Sequence, residues 1–296
     1  MSTLYELIRS EERSYPIPMM LRLLEVSKSG YYSWMKRKSV PSKQAQRRQQ
    51  RDHLIKVAFA ETKGRYGSPR LTQYLKAQGR RVCENTISES MRRLGLSALR
   101  KPRKVKTTDS HHQRPTAENH LARQFDVRSS KPAWVGDITY LHTAEGWLYL
   151  ATLIKLQSRR VIGWALSDAI NEELVTSALE MALSSHTSTQ GVLHHSDRGA
   201  QYCARGYQEM LKSKGFIISM SAPGECLDNA VAESFFGQLK RELPVKSLFK
   251  MKRSEARREV SNYIHWYNSE RLHSSLDHMS PIDFERQLKV ESTQPH

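Results

Sequence analysis

From residue 132 onward the chain alternates between short β-rich runs and helical segments, and no other feature restricts its fold as strongly. Three β-rich runs come first, separated by short turns, which is typical of an antiparallel meander. Strands and helices then alternate, which favours an α/β fold with a mixed five-stranded sheet flanked by helices. The pattern predicts strands at 133–142, 146–156, 160–168, 191–197 and 216–221, and helices at 171–186, 205–215, 228–243, 254–270 and 281–289.

The first 97 residues lack this alternation and contain two pairs of helical segments, near 17–38 and near 69–97. In the second pair, Gly79 stands where a helix C-cap is expected. Both pairs are typical of helix-turn-helix units, so we expect an all-α DNA-binding region over 1–97. The second helix of such a unit enters the major groove, which makes Arg92 and Arg93 DNA-binding candidates. Helix pairs joined by a glycine turn also occur as ordinary core structure, so DNA contact by either unit stays open.

Positive charge is concentrated in the N-terminal part. Residues 1–130 hold 28 Lys and Arg against 11 Asp and Glu, whereas residues 131–296 hold 19 of each, so the net charge of +17 lies before residue 131. Such clustering indicates a polyanion-binding module joined to a neutral domain. Residues 98–130 read as a basic linker that follows a phosphate backbone, or as a connector with incidental charge. Its candidate DNA contacts are Arg100, Lys101, Arg103 and Lys104.

Several classes of protein are disfavoured by composition. Cys83, Cys203 and Cys226 are few and lack CxxC spacing, which argues against a disulfide framework or a thiolate zinc finger. No apolar run approaches the roughly 20 residues needed to cross a bilayer, and the N-terminus does not resemble a signal peptide. We therefore expect a cytoplasmic protein without a membrane partner.

Three acidic residues stand where a catalytic site is expected. Asp137 interrupts an apolar strand, where an unpaired carboxylate is costly to bury. Asp197 ends a strand, at the edge where open sheets build their sites. Glu233 lies on a later helix that Asp228 or Asn229 is expected to cap. Oxygen ligands of this kind suit hard cations and two-metal phosphoryl transfer, although each acid taken singly is more often a surface residue.

The paired histidines before Asp197 do not indicate a zinc site. Side chains alternate across a strand, so His194 and His195 point to opposite faces and cannot bind one ion together. His195 shares a face with Asp197, where it assists the site, contacts DNA or packs as an ordinary polar residue.

The stretches around these acids resemble one known family. They include WVGDITY, GWLYLA, SRRVIGW, HSDRGAQY, DNAVAESFFGQLKRE and YNSERLHSSLDHMSP, and the resemblance reaches the N-terminal SKSGYYSW and RYGSPR. In this order they are similar to the OrfB-type transposase of bacterial insertion sequences, the insertion sequence three family. That family belongs to the DDE integrase and transposase superfamily, whose catalytic core is ribonuclease-H-like, like that of retroviral integrases.

The resemblance implies that Asp137, Asp197 and Glu233 bind two Mg²⁺ or Mn²⁺ ions. They would then catalyse cleavage at the ends of the element and strand transfer into target DNA. It also implies a basic residue seven positions after the glutamate, here Lys240, which helical spacing places on the face of Glu233. The catalytic core is expected at 131–245, followed by a C-terminal helical extension at 246–296.

The expected partner is DNA, both the ends of the element and the target duplex, bound by a homo-oligomer. Members of this family are commonly made as a fusion with a small upstream helix-turn-helix protein, which adds a partner or fused segment. In the C-terminal extension, Tyr263 and Trp266 are assigned to packing, while Arg271 and His273 are candidate DNA contacts.

One position departs from the family pattern, because Lys155 stands where an aspartate often precedes the SR pair. A charge reversal there raises the alternative of a catalytically impaired DNA-binding regulator derived from a transposase. A ribonuclease-H-like nuclease without strand transfer is the other alternative.

Overall fold

The computed structural model describes residues 2–39, 42–99, 117–121, 132–186, 188–221, 229–243 and 248–293. The chain forms two compact units, residues 1–98 and 99–296. None of the helices in the described ranges has the length and apolar character that a membrane crossing requires.

The first unit is entirely helical, as predicted. Its helices are α1 (Ser2–Ser10), α2 (Ile17–Leu23), α3 (Lys28–Ser39), α4 (Lys43–Glu61), α5 (Ser68–Ala77) and α6 (Glu84–Arg93). The two predicted helix pairs are α2 with α3 and α5 with α6. Gly79 follows α5 with a φ of 76°, a left-handed conformation that glycine adopts without a steric penalty, so the predicted glycine stop is confirmed.

Buried apolar side chains hold the helices of this unit together. Ile8, Leu21 and Tyr31 are buried among α1, α2 and α3. Helix α4 packs on α5 and α6, but Ile55 and Ala58 are its buried residues. So few apolar positions in 19 residues leave almost no helical periodicity, which is why the sequence did not predict α4.

The second unit is built on a five-stranded mixed sheet, which confirms the predicted fold class. Its strands are β1 (Ala133–Thr143), β2 (Gly146–Lys155), β3 (Val161–Ser167), β4 (Leu193–Ser196) and β5 (Ile217–Met220), in the order β3-β2-β1-β4-β5. The first three strands form the antiparallel meander, and β4 adds to β1 in parallel. Its helices are α7 (Glu172–Ser184), α8 (Arg205–Ser213), α9 (Ala230–Glu242), α10 (Arg253–Ser269) and α11 (Pro281–Thr293).

Apolar side chains cover both faces of the sheet. One cluster joins alternate residues of β1, such as Val135 and Leu141, to α9 and α10. The other joins Trp134, on the opposite face, to α7 and α8. Because α10 supplies Val260, Tyr263, Ile264 and Tyr267 to the first cluster, this C-terminal helix is part of the main core rather than an appendage to it.

Part of the predicted linker also packs on the sheet. The amide of Met220 donates to the carbonyl of Glu118 over 3.2 Å, and the amide of His120 donates to the hydroxyl of Ser219 over 2.9 Å. Residues 117–121 therefore run beside β5. The basic stretch from residue 100 to residue 106 lies outside the described residues.

Candidate active site

The parallel register of β1 and β4 sets two of the candidate acids side by side. Val135 lies opposite His195 in this pairing. The same register continued by two residues brings Asp197, just past the end of β4, alongside Asp137. Neighbouring strands lie about 4.8 Å apart. The two carboxylates are therefore neighbours on the face of the sheet that α9 covers.

A tight turn orients Asp197. Its Oδ1 accepts a hydrogen bond from the amide of Gly199 over 2.9 Å. A Cβ at position 199 would approach that same oxygen to 2.9 Å, so a larger residue there would displace the Asp197 carboxylate. Arg198 ties the turn to β5, because its Nε donates to the carbonyl of Ser221 over 2.8 Å.

Asp137 carries an unfavourable negative charge. Burial raises the pKa of its carboxyl well above the usual range, and the charges of Asp197 and Glu233 raise it further. The amide of Ile138, which donates to Asp137 Oδ1 over 2.8 Å, and the ammonium of Lys240 act in the opposite direction. These four charged side chains therefore form one electrostatic group.

Helix α9 supplies two members of this group, Glu233 in its first turn and Lys240 in its last. Burial lowers the pKa of the Lys240 ammonium, while the nearby Asp137 carboxylate raises it. Because positions seven residues apart lie on one side of a helix, both side chains face the site from α9.

Asn229 joins the start of α9 to β1. It occupies the N-cap position, but its side chain makes no capping bond, contrary to the expected cap. Instead, its Nδ2 donates to the carbonyl of Gly136 over 3.4 Å, next to Asp137. Within the described residues, Asn229 Oδ1 is buried without a hydrogen-bond partner. Asp228, the other expected cap, lies outside them.

The donor set suits a hard cation, although it is not drawn together into a closed site. A carboxylate whose pKa is raised by burial and by two neighbouring acids, together with a buried amide oxygen, offers ligands that Mg²⁺ or Mn²⁺ binds and stabilises. In the part of the chain that the structure describes, no group of three or more His, Cys, Asp or Glu side chains lies close enough to hold a metal ion.

The paired histidines are packed core residues. His195 is fully buried, and its ring nitrogens lie 2.9 Å from Ser219 Oγ and 3.2 Å from Ser221 Oγ. The suggested DNA contact of His195 is therefore wrong, because the ring has no surface to present. His194 faces the other side of the sheet, 2.9 Å from the hydroxyl of Tyr207, and burial lowers its pKa to about 3.

Arg271 is also misplaced among the DNA candidates, because its side chain has no exposed area. Its Nε and NH2 donate to the two carboxylate oxygens of Glu242 over 2.9 and 2.7 Å, and NH1 faces the ring of His273. His273 is 5% exposed. The composition of this segment suggested stacking and phosphate contacts, whereas its polar groups satisfy one another inside the core.

The basic candidates of the first unit differ from one another. Arg92 is exposed on α6. Arg93 donates through Nε to Asp52 Oδ2 over 3.1 Å and through NH2 to Asp52 Oδ1, so it fastens α6 to α4. The linker candidates Arg100, Lys101, Arg103 and Lys104 lie outside the described residues.

Lys155 has a structural role that the sequence did not reveal. Its ammonium lies 3.3 Å from Glu285 Oε1 on α11. Glu285 also accepts from the hydroxyl of Ser158 and from Arg160 NH1, both over 2.8 Å. The charge reversal at position 155 is therefore balanced by an acid from the C-terminal helix, away from Asp137, Asp197 and Glu233.

Three families known from other proteins match this chain. Residues 128–226 match the integrase core domain family, and residues 214–281 match a second integrase core domain family. Residues 46–104 match the HTH-like domain family, which covers α5 and α6.

Solved structures similar to the chain include retroviral integrases. The catalytic core of HTLV-2 integrase in complex with magnesium is 16% identical, with a TM-score of 0.43 over 52% of this chain and 95% of that one. The catalytic core of BIV integrase is 16% identical, with a TM-score of 0.44 over 56% of this chain and 100% of that one.

Relatives that span almost the whole chain are much more similar. The transposase InsF for insertion sequence IS3A of Escherichia coli strain K12 is 42% identical over 95% of this chain and 98% of its own length. A 31 kDa protein of insertion element IS600 from Shigella sonnei is 38% identical over 90% of this chain and 97% of its own. The chain therefore belongs to the IS3 family of insertion-sequence transposases, enzymes with an integrase core domain.

Proposed function

We propose that this transposase cuts DNA at the ends of its insertion sequence and joins the freed ends to target DNA, in reactions that depend on divalent metal ions. The observation that carries the proposal is the electrostatic group of Asp137, Asp197, Glu233 and Lys240. A buried acid destabilised by two neighbouring acids, beside one ammonium, suits a site for cations and a phosphodiester.

Each residue of the group has a distinct task in this proposal. Asp137, Asp197 and Glu233 would hold two Mg²⁺ or Mn²⁺ ions, which supply activation of the attacking oxygen and stabilisation of the leaving one. Lys240 holds a phosphate oxygen of the scissile strand by charge. The turn from Asp197 to Gly199, tied to Ser221 by Arg198, keeps the middle carboxylate in place.

The chemistry consists of two transfers at phosphorus. In the first, water attacks the phosphodiester at the end of the element, and the bond from phosphorus to the 3′ oxygen breaks, which leaves a 3′-hydroxyl and a 5′-phosphate. In the second, that 3′-hydroxyl attacks a target phosphodiester and expels the target's 3′ oxygen. Each step forms one P–O bond and breaks one, so no covalent link between protein and DNA is needed.

The proposed partners follow from charge and family. The region over 1–97 and the linker over 98–130 would bind duplex DNA, through Arg92 and the linker residues Arg100, Lys101, Arg103 and Lys104. The core over 131–245 would act on the ends and the target within a homo-oligomer, in the cytoplasm, with or without an upstream helix-turn-helix partner.

The test is an assay of cleavage and joining with purified full-length protein, end-sequence duplex DNA, and Mg²⁺ or Mn²⁺. We expect both products from the wild type. An Asp197→Asn variant should lose both products while it still retards the DNA in a gel, because the substitution removes a charge without changing the shape of the turn. An active Asp197→Asn variant would overturn the site assignment.

Other outcomes favour the alternatives. DNA retardation by the wild type without metal-dependent cleavage would support the regulator, and hydrolysis without joining would support the nuclease. A relative such as the IS3A transposase, assayed with its own end sequences, controls for the reaction conditions.

A further inference from the structure

The position of α9 determines where Glu233 and Lys240 stand, since both belong to this helix. Apolar contacts of Ala232, Phe235, Phe236 and Leu239 press α9 onto the core. Such contacts are non-directional, so they resist separation of the helix from the sheet more than its rotation or sliding.

A buried ion pair at the last residue of α9 is directional. Glu242 is 2% exposed and Arg271 is fully buried. The two carboxylate oxygens each accept one bond from the Arg271 guanidinium, over 2.7 and 2.9 Å. The hydroxyl of Tyr263 donates to Glu242 Oε2 over 3.0 Å, and Arg241 NH2 lies 3.3 Å from Oε1. Paired bonds of this kind fix both the distance and the orientation of the carboxylate.

This pair sits on the side of α9 opposite the candidate site. Glu233 and Glu242 are nine positions apart, and at ~100° per residue this separation places them about half a turn from each other. A rotation of α9 that moved Glu233 away from Asp137 would swing Glu242 by the same angle and break its paired bonds. The ion pair therefore opposes rotation of α9 about its axis.

We propose that Arg271 is a positioning residue for the transposition reaction. Through its paired bonds to Glu242, supported by Tyr263, it holds α9 in the rotation that sets Glu233 and Lys240 toward Asp137 and Asp197. The inference rests on the proposed function of these residues. A displacement of about 1 Å in a catalytic group can reduce a rate 100-fold, so a loose α9 would impair chemistry in a folded protein.

The experiment replaces the pair with apolar side chains in the full chain, as Glu242→Leu with Arg271→Met. Substituting both partners avoids an unpaired buried charge, and such exchanges are often neutral for stability. We expect Tm and DNA retention to stay near wild type, while the rate at saturating Mn²⁺ falls at least about tenfold. The Mn²⁺ concentration for half-maximal rate should rise, because Glu233 is no longer held toward the other acids.

The matched control is the double variant Arg160→Met with Glu285→Leu, which removes the ion pair between the β2–β3 turn and α11 together with the contact of Glu285 to Lys155. Neither interaction involves α9. Its rate and Mn²⁺ requirement should stay within about twofold of wild type, since these side chains lie on elements other than α9 and partly exposed pairs contribute little. An apolar Glu242/Arg271 variant that folds and keeps the wild-type rate and Mn²⁺ requirement would overturn the proposal.

Two milder variants test the role of Arg271 if the apolar variant does not fold. Arg271→Lys keeps the charge without the paired bonds, and Tyr263→Phe removes one bond to Glu242. Both should raise the Mn²⁺ requirement, and wild-type behaviour in both would overturn the proposal.

If wild type cuts no DNA, the proposed function fails. The Mn²⁺-dependent rise in Tm then tests Arg271 separately: a higher Mn²⁺ requirement in the variants supports its role, and equal requirements overturn it.

Discussion

At Asp137, the folded protein keeps a carboxylate whose pKa is raised well above its usual range by burial and by the neighbouring charges of Asp197 and Glu233. A raised carboxyl pKa means that the charged form destabilises the fold at neutral pH. A bound divalent cation would remove that destabilisation.

We therefore predict that Asp137→Asn raises Tm in the presence of a chelator. A relief of about 1 kcal/mol corresponds to an increase of about 2–4 °C in a chain of this size. Mn²⁺ should raise the Tm of the wild type and leave the variant almost unchanged, which differential scanning fluorimetry measures. A variant that melts lower than wild type in chelator would contradict this account of the site.

The pKa of the Glu242 carboxyl is shifted in the opposite direction from that of Asp137. Burial raises the pKa of its carboxyl, but the bonds and charge of Arg271, with smaller effects of Tyr263 and Arg241, hold that pKa below its usual value of 4.5. A lowered carboxyl pKa adds stability that is present above the unfolded value and is lost as pH falls through the folded one.

Hence the stability difference between wild type and Glu242→Gln should be largest above about pH 4.5 and should shrink as the solution becomes more acidic. Urea unfolding followed by circular dichroism between pH 3 and pH 7 measures it. The exposed pair of Arg286 and Asp283 provides a control, because Asp283→Asn should change the unfolding curves little. A constant difference across this range would show that Arg271 does not stabilise the charged form.

Helix α6 illustrates how one element combines packing and exposed charge. Ile87, Ser90 and Met91 are buried, while Asn85, Glu89 and Arg92 are exposed on the other side. Arg93 turns back to Asp52 on α4. Neighbouring arginines on one helix thus have different expected roles.

Arg92→Ala should weaken binding to duplex DNA and reduce the salt dependence of binding by about one ion, with unchanged Tm. Arg93→Ala should lower the Tm of the N-terminal unit instead, because it releases α6 from α4. Fluorescence anisotropy at several salt concentrations, together with thermal melting, separates the two effects. Equal losses of binding in both variants at unchanged Tm would contradict this division of roles.

Strand β3 and helix α7 approach each other unusually closely at Gly163. A Cβ there would collide with the carbonyl oxygen of Ala178 and would lie 2.8 Å from Ala182 Cβ. Gly163→Ala should therefore lower stability by about 1–3 kcal/mol, as overpacking of a core does. Chemical denaturation measures the loss. Gly237→Ala is the control, because a Cβ at that position meets no atom within 4 Å, and equal losses in both variants would refute the packing argument.

For the molecule as a whole, most of the excess positive charge lies in the first unit, whereas the candidate catalytic groups lie in the second. Residues 1–98 hold 20 Lys and Arg against 8 Asp and Glu, and residues 99–296 hold 27 against 22. The acids of the candidate site all belong to the second unit. We expect the electrostatic part of DNA affinity and the chemistry to be separable.

Expressed separately, residues 1–98 should bind duplex DNA with a steep dependence on salt, because each neutralised phosphate releases counterions. Residues 99–296 should bind more weakly and show a shallower dependence. Anisotropy titrations from low to high salt provide the comparison, with the intact chain as reference. A steeper dependence for residues 99–296 would contradict this assignment of charge.

Local patterns in the sequence were sufficient to predict the five strands, most helices and the order of the three acids. The spacing of apolar residues and the positions of turn residues involve only neighbouring positions, so they can be recognised without knowledge of the fold. The long helix α4 was missed because few apolar residues on it are buried, namely Ile55 and Ala58. The motif stretches also indicated the family before any geometry was known.

Roles that depend on a distant partner were decided only by the tertiary structure. Arg271 became a buried partner of Glu242, 29 positions away, and Lys155 became a partner of Glu285 on the last helix. A basic side chain that the sequence suggests for DNA binding cannot reach DNA when the fold buries it against an acid. Charge type and local period are written in the sequence, whereas burial and pairing depend on which distant segments the fold places in contact.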